Sequence, residues 1–580
     1  MRTIRHPAQI PLFDPLGHLP ANHRKAFLES PEGLFRAAIL EVLPVTQLAE
    51  HFSAETGRPT KELYAMAGLI QLMEYNNWTT AEAVNQYMWN RMVQLALNLP
   101  EHYPEISERT LYRYIKIFQD NDNHLAQRAM DEITAALIEI TELDVSKQRL
   151  DSTHVFSNMA TFGRTRMMGV TIKRFLTQVI RHDNEAYESI DAALRERYAI
   201  SQGKLFADTA KDPKKHGALR EQVALDMAKL IGLFETHEQL KNATTFKNLV
   251  QVFDQQCEVV GDEVKVRAKT GGSVIQNPSD LDATYDGHKG PGYQVQFVET
   301  CSDANDVQLI VEALAQTAAV SDMKSLTPIV ESLAAKDVLP EELLADGGYG
   351  SDENVQAAAS MGVELVSPTK GNADLSASEA SISEALTLDD FVFNDDEIIT
   401  ACPAGHKPAS SIHDKATGQT TTVMNAADCN ACSFSGECPV KRKPEGYKLK
   451  HTAKERRLAE RRREEATDVF RERYAKRSAL EGTNSGVKQV TGLGQLRVRG
   501  KPRVFMAILL KTAGWNIRRA SSSARVREFV RNRLESGLLG AIARCFWAPL
   551  PLLAAQIRNA APISLFSHTQ LFRGTTSAAA

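Results

Sequence analysis

QRLDSTHVF, residues 148–156, reads as a strand with a polar end, and it divides the chain. Upstream of it, from about Arg58 to Asp144, the apolar spacing is helical. Lys61 to Tyr75 carries Leu63, Met66, Leu69, Ile70 and Met73 at the period of a helix. Asn76, Asn77 and Trp78 break that run. Thr79 with Glu82 fits a capping box, in which hydroxyl and carboxylate each satisfy a free amide, opening a helix that ends by Pro100. Ser107 fits the cap of another helix, which carries Arg109, Tyr112, Arg113 and Lys116. Short helices with basic residues on the last fit a helix-turn-helix reader of DNA. They also fit a packed helical bundle with solvated charges.

Downstream the pattern alternates between helix and strand. Arg164 to Phe246 returns to helical spacing with mixed charge. YQVQFVET, residues 293–300, alternates and is rich in β-branched and aromatic residues, as strands are. A helix is expected from Asp306 to Ala319. ELLADGGYG (342–350) is a short apolar strand ending in a Gly-rich turn, and VELVSPTK (363–370) is another strand. Strands separated by helices predict a mixed α/β core. Gly371 to Glu384, rich in Ser, Ala and Glu, reads as a surface linker.

Three acids stand out by position. Asp151 ends the first strand, Asp346 follows ELLA, and Glu481 lies in RYAKRSALEGTNSGVK (473–488), which reads as a helix up to Gly482. A strand-terminal Asp is commonly a turn residue or a cap. Three acids converging on one point, however, suit two hard divalent cations, which prefer oxygen ligands. Held about 3.5–4 Å apart, such ions activate an attacking oxygen and stabilise a leaving one. Tyr474, Arg477 and Glu481, at i, i+3 and i+7, fall near one helical face. Arg477 suits a bidentate phosphate contact and Lys488 a point charge.

The spacing Tyr-x2-Arg-x3-Glu-x6-Lys resembles the signature of a large group of bacterial insertion-sequence DDE transposases. LDSTHV (150–155) resembles that group's first-Asp strand, and LADGGYGSDENV (344–355) its second-Asp motif. GLGQLRVRGKPRVFMAILLKTAGWNIRRA (492–520) is similar to the group's C-terminal ending. The resemblance runs from about Arg58 to Arg519. It implies an α/β catalytic core with an RNase H-like mixed sheet, preceded by an all-α N-terminal domain. The expected division is 1–145 for the helical domain and 146–520 for the catalytic domain. The latter would hold a helical insertion at about 165–265 and a Cys-rich insertion at about 371–445. Residues 521–580 form a tail that matches nothing in the family pattern. The resemblance further implies Asp151, Asp346 and Glu481 as ligands of two Mg²⁺ (or Mn²⁺) ions. Tyr474, Arg477 and Lys488 would contact element-end DNA. The implied partners are terminal inverted repeats and target DNA, bound by a homodimer in the bacterial cytoplasm and nucleoid. The implied activity is cleavage at insertion-sequence ends followed by 3′-OH strand transfer. A DNA-binding protein without activity and a nuclease without strand transfer are the competing readings.

Cys402, Cys429, Cys432 and Cys438 cluster in a chain of seven cysteines. CPAGH resembles a knuckle turn, and Cys429-x2-Cys432 is a spacing common in zinc sites, which suggests a structural Zn²⁺ with His406 as a spare ligand. Four free thiols in a tolerant loop is the plainer reading. Cys257, Cys301 and Cys545 read as ordinary core or helix residues. NPSDLDATYDGHKGPGYQVQF (277–297) contains Asp280, Asp282, Asp286 and His288 and reads as a polar hairpin leading into its strand. His154 points away from Asp151 if the strand continues, which predicts a structural role. RVRGKPR (497–503) is either a phosphate-tracking turn or an exposed one. Lys441 to Arg477 is basic, with Arg456, Arg457, Arg461, Arg462 and Arg463 interleaved with glutamates. It is either a solvated, charge-paired helix or a surface facing DNA.

The bulk numbers agree with a large globular protein. At 580 residues the chain exceeds one ordinary core. Hydrophobic content of 43% and charged content of 24% are ordinary, and a net charge of −4 provides no global cationic field. Met1 to Pro20 holds charges and prolines and no long apolar core, so no signal peptide is expected. Leu538 to Ile557 is interrupted by Arg544, Pro549 and Pro551, which argues against a membrane span.

Overall fold

The computed structural model describes residues 1–8, 15–202, 204–206, 213–261, 263–369, 386–394, 398–444 and 446–535. At its centre lies a mixed sheet of six strands: β1 (Lys147–Val155), β2 (Thr284–Asp286), β3 (Gly290–Thr300), β4 (Ile310–Thr317), β5 (Glu342–Ala345) and β6 (Glu364–Val366). The path runs β2-β3-β1-β5-β6, with β4 also on β3. β3 is antiparallel to β1, β2 and β4, whereas β5 is parallel to both β1 and β6.

Both faces of the sheet are covered. Leu150, Val298, Val311, Leu343 and Ala345 pack against Leu326, Ile329, Val330 and Leu333 of the Leu326–Ala335 helix. On the opposite face, Tyr293, Val295 and Phe297 join a large core shared with the N-terminal helices and the Lys501–Ala520 helix. Every residue of the Leu63–Tyr75 helix is buried, as an all-round apolar helix must be. Thr79 and Glu82 form the capping box that opens Thr80–Trp89, and Ser107 caps Glu108–Gln119. The Lys501–Ala520 helix lies along both Leu63–Tyr75 and His124–Thr141. The buried amide of Gln71 donates to the Leu510 carbonyl at 2.8 Å.

Two further bodies are inserted. Between β1 and β2, the helices Arg164–His182, Asn184–Ser189, Ala192–Ala199, Pro213–Phe234 and Thr244–Gln256 enclose a core of their own around Phe175, Met227 and Leu249. After β6, the strands Ser410–Asp414, Gln419–Met424, Lys441–Lys443 and Gly446–Thr452 make a small antiparallel sheet. The expected linker Gly371–Glu384 lies outside the described residues.

Three expectations are corrected. Asp306–Ala319 is not a helix: its centre is β4, paired with β3 over Tyr293–Glu299. Gln308, Glu312 and Gln316 recur every fourth residue, as on a helix face, so periodicity alone points to a helix here. Pairing decides it, helped by Asn516, whose side-chain amide accepts from Ile310 N at 2.9 Å and donates to Ile310 O at 2.7 Å. The helix near Glu481 does not stop at Gly482 but runs Ala479–Thr491 and ends at Gly492, in the left-handed region at φ +69°. Residues 521–580 are not simply a tail. Ala524–Glu535 is a helix whose Val526 and Val530 enter the large core, and Arg533 pairs with Glu41 at 2.5 Å. Leu538–Ile557 falls outside the described residues. Among those described, no helix is long and apolar enough to cross a membrane.

Candidate active site

The register of the sheet brings the first two acids together. β1 and β5 are parallel, and their last pair is Leu150 with Ala345. One step further along both strands stand Asp151 and Asp346, on the same face. Gly348 N donates to Asp346 Oδ1 at 2.8 Å, fixing the Gly-rich turn around the carboxylate. A Cβ on Gly348 would lie 2.8 Å from that same oxygen, so a side chain there would push the carboxylate aside.

The third acid approaches from the helix above. Arg477 Nη1 lies 3.7 Å from Asp151 Oδ1, and its Nη2 lies 3.3 Å from Glu481 Oε1. Glu481 remains 67% exposed, whereas Asp151 is 15% exposed, so the two carboxylates meet the guanidinium from different environments. Burial pushes the Asp151 carboxyl up to about 6 against the pull of Arg477, and Asp346 beside it adds to the rise. Burial would lower the Arg477 guanidinium, but Tyr474, Asp151, Asp346 and Glu481 together raise it. Tyr474 stacks on Phe470 at 5.8 Å and lies under Arg477 at 5.7 Å. Lys488, on the same helix as Glu481, is lowered by burial and by Lys289.

Several groups in this neighbourhood were not singled out from the sequence. Asn484 Nδ2 donates to Asp151 Oδ2 at 3.0 Å. Its place three residues after Glu481, on one helical face, was the available signal. Arg149, two residues before Asp151, sits opposite Glu299 on β3. Its Nε and Nη2 donate to Glu299 Oε2 at 2.8 and 2.5 Å, its Nη1 donates to Lys476 O at 3.0 Å, and Thr483 donates to Glu299 Oε1 at 2.8 Å. This network ties the sheet to the segment that carries Arg477 and Glu481. Asp322 accepts from Ser152 at 3.3 Å and from Gln296 at 3.0 Å on the other face.

Among the described residues, no three His, Cys, Asp or Glu side chains stand close enough to share one ion. Asp151 and Asp346 nevertheless fit a hard cation as a pair: both are oxygen donors, and the Asp151 carboxyl, raised by burial and then by Asp346, is a group whose charge a cation would stabilise. Glu481 stands apart, engaged by Arg477. The four cysteines of the insertion are neighbours: burial, then Cys438, Cys402 and Cys432, push the Cys429 thiol up. Gly405 N donates to Cys402 O at 2.8 Å, closing the CPAGH turn. The His406 ring lies 3.9 Å from Asp428.

The other candidates divide. His154 is 6% exposed, with its ring against Phe156 and Nε2 3.4 Å from Pro291 O. Asp280 is buried and accepts from Ser157 and Tyr293, both at 2.6 Å. Asp282 accepts from Lys501 N at 3.0 Å at the RVRGKPR turn. Asp286 accepts from the His288 and Lys289 amides, as a turn residue does. In the arginine-rich Ala453–Glu465 helix, Arg457 pairs with Asp352, and Arg461 donates to the carbonyls of Gly350 and Ser367. Arg463 pairs with Asp389 and Asp390. Much of that cationic charge braces the turn after Asp346. On the Glu108–Gln119 helix, Arg109, Tyr112, Arg113 and Lys116 form an exposed row, and Tyr112 lies under Arg503 at 5.2 Å.

Comparison with known proteins locates part of this arrangement. Residues 401–521 match the model of a family described as a transposase DDE domain. The matched stretch holds the cysteines, Tyr474, Arg477, Glu481 and Lys488, and excludes Asp151 and Asp346. A solved structure, described as a cryo-EM structure of piggyBac transposase synaptic complex with hairpin DNA, is similar over 70% of this chain and 77% of its own. Its identity is 10% and its TM-score 0.20, and a likeness that loose decides nothing about this chain. No curated protein matches the sequence.

Proposed function

We propose that the chain is a DDE-class DNA transposase that cuts insertion-sequence ends and joins the released 3′ end to target DNA. The observation that carries this reading is the nearness of Asp151, midway along β1, to Asp346, just past the end of the neighbouring parallel strand β5, under the helix that bears Glu481. The match of 401–521 to a transposase DDE domain supports it. So does the strand order β4-β3-β1-β5-β6, antiparallel from β4 to β1 and parallel from β1 to β6, which is the order expected of an RNase H-like core, with the short β2 added on β3.

In this reading Asp151 and Asp346, joined by Glu481, would hold two Mg²⁺ or Mn²⁺ ions, which supply activation of the attacking oxygen and charge neutralisation at the leaving oxygen. The chain's own groups do the positioning. Arg477 and Lys488 hold phosphate oxygens, and Tyr474 donates to one or stacks on a base. Asn484 and Arg477 orient Asp151. Water attacks the phosphodiester at the element end, breaking the P–O bond to the 3′ oxygen, which leaves as a hydroxyl. That hydroxyl then attacks a target phosphodiester. Both steps are in-line displacements at phosphorus, so one site serves both. Pairing two element ends calls for two copies of the chain. The four cysteines of the insertion are neighbours, and a small inward shift of their side chains would let them hold a structural Zn²⁺.

The test incubates the purified full chain with Mg²⁺, a labelled duplex ending in the inverted repeats that flank the coding region, and a target plasmid. Joined products support the proposal. Cutting without joining supports a nuclease, and binding alone supports a DNA-binding protein; either result overturns it.

A further inference from the structure

Lys289 lies at the tip of the hairpin between β2 and β3, in DGHKGPG (286–292), and it reaches over the polar end of β1. Its Nζ donates to Ser152 Oγ at 3.1 Å, next to Asp151. The hairpin is held there by close backbone contact: a Cβ on Gly292, at φ +151°, would lie 2.6 Å from Val155 O. Lys488 reaches the same place from the opposite side. It lies one helical turn beyond Asn484, whose amide is bonded to Asp151, and its stem rests on Gly494. Burial lowers the Lys488 ammonium and Lys289 adds to the lowering, while Asp151 opposes it and is itself lowered by Lys289. Neither lysine closes an ion pair with a carboxylate among the described residues, in contrast to Arg457, Arg463 and Arg473 nearby. Two like charges brought together beside the site, without a carboxylate partner, are an anion site in waiting.

We propose that Lys289 and Lys488 form one phosphate clamp, the hairpin supplying one jaw and the Ala479–Thr491 helix the other, which grips a backbone phosphodiester of the DNA strand lying across Asp151. This rests on the transposase reading and adds to it a contact from an element outside the matched 401–521 segment. Ser152 holds Lys289 in place when no phosphate is present and releases it when one arrives. The clamp reads no base, because its contacts go to phosphate oxygens.

The test measures affinity of the full chain for a fluorescein-labelled duplex of random sequence across a salt series. Each lost phosphate contact flattens the plot of log affinity against log salt by about 0.9. Lys289→Gln is expected to flatten the slope by most of that amount, Lys289→Arg to keep the wild-type slope, and the double variant with Lys488→Gln to flatten it by about 0.9 in all, because both groups serve one phosphate. Lys269→Gln, an exposed lysine elsewhere, serves as the unchanged control. Lys289 is exposed on a hairpin, so its variant is expected to fold, and its melting temperature checks that. A wild-type slope for Lys289→Gln beside normal wild-type binding overturns the clamp alone. A wild-type chain that binds no DNA overturns the transposase reading and the clamp with it.

Discussion

Arg149 and Glu299 face each other across β1 and β3 and close an ion pair of 2.5 Å that is 8% and 0% exposed. Its remaining bonds go to Lys476 O and Thr483, so the pair joins the sheet to the segment that carries Arg477 and Glu481. Replacing Arg149 with Met leaves Glu299 buried without a counter-charge, which costs about 3–5 kcal/mol. We expect Arg149→Met to lower the urea midpoint by a corresponding amount. Arg149→Met/Glu299→Leu is expected to recover much of the loss. Equal destabilisation by the single and double variants would count against this account.

The carboxylates have a sharper signature. Asp151→Asn, Asp346→Asn and Glu481→Gln are expected to bind element-end DNA like the wild type and to lose cleavage altogether. Strand cleavage at the normal rate by any one of them removes that residue from the proposed set.

Asn484→Ala deletes the amide that donates to Asp151. Such a bond to a charged group contributes about 1.5–3 kcal/mol. The expected result is slower cleavage with unchanged DNA affinity, and Asn484→Asp is expected to be worse than Ala because it adds a negative charge beside Asp151. Gel-based single-turnover rates and a binding titration separate the two effects.

Two glycines in the Ala479–Thr491 helix are expected to respond in opposite ways. A Cβ on Gly486 would stand 2.5 Å from the Trp515 ring, whereas one on Gly482 meets nothing within 4 Å. Gly486→Ala forces the helix away from Lys501–Ala520, at about 1–3 kcal/mol. Gly482→Ala is expected to stabilise by about 0.4–1 kcal/mol, because it restricts the unfolded chain. Thermal melts of the two variants check the contrast.

Zinc is checked by metal analysis of the purified chain, with about one tightly held equivalent expected. Cys429→Ser is expected to release it and to loosen the strands Gln419–Met424 and Gly446–Thr452 under limited proteolysis. Less than half an equivalent in the wild type argues for free thiols.

What could be read in advance follows the range of the forces involved. The capping box at Thr79 and the Ser107 cap were visible because each hydroxyl and the amide it caps lie within one turn. The strand 147–155 was visible because polar and apolar residues change over abruptly at its end. β4 was misread because Gln308, Glu312 and Gln316 recur every fourth residue as on a helix, while its true pairing is set by β3 and Asn516. The nearness of Asp151 and Asp346 is a matter of register between strands almost two hundred residues apart, and no local pattern encodes it. Lys289 looked like a turn residue because its role depends on where the hairpin lands. The arginines of Ala453–Glu465 read as paired within their own helix or facing DNA because their actual partners, Asp352, Gly350 and Ser367, are distant in sequence.

The Lys501–Ala520 helix lies against both Leu63–Tyr75 and His124–Thr141, and within it Lys511 donates to Glu74 O and Thr491 O. The faces of Leu63–Tyr75 and His124–Thr141 that this helix covers therefore wait for a partner made far later in the chain, although the same helices already pack on their N-terminal neighbours. A chain ended before Gly500 would leave those faces bare.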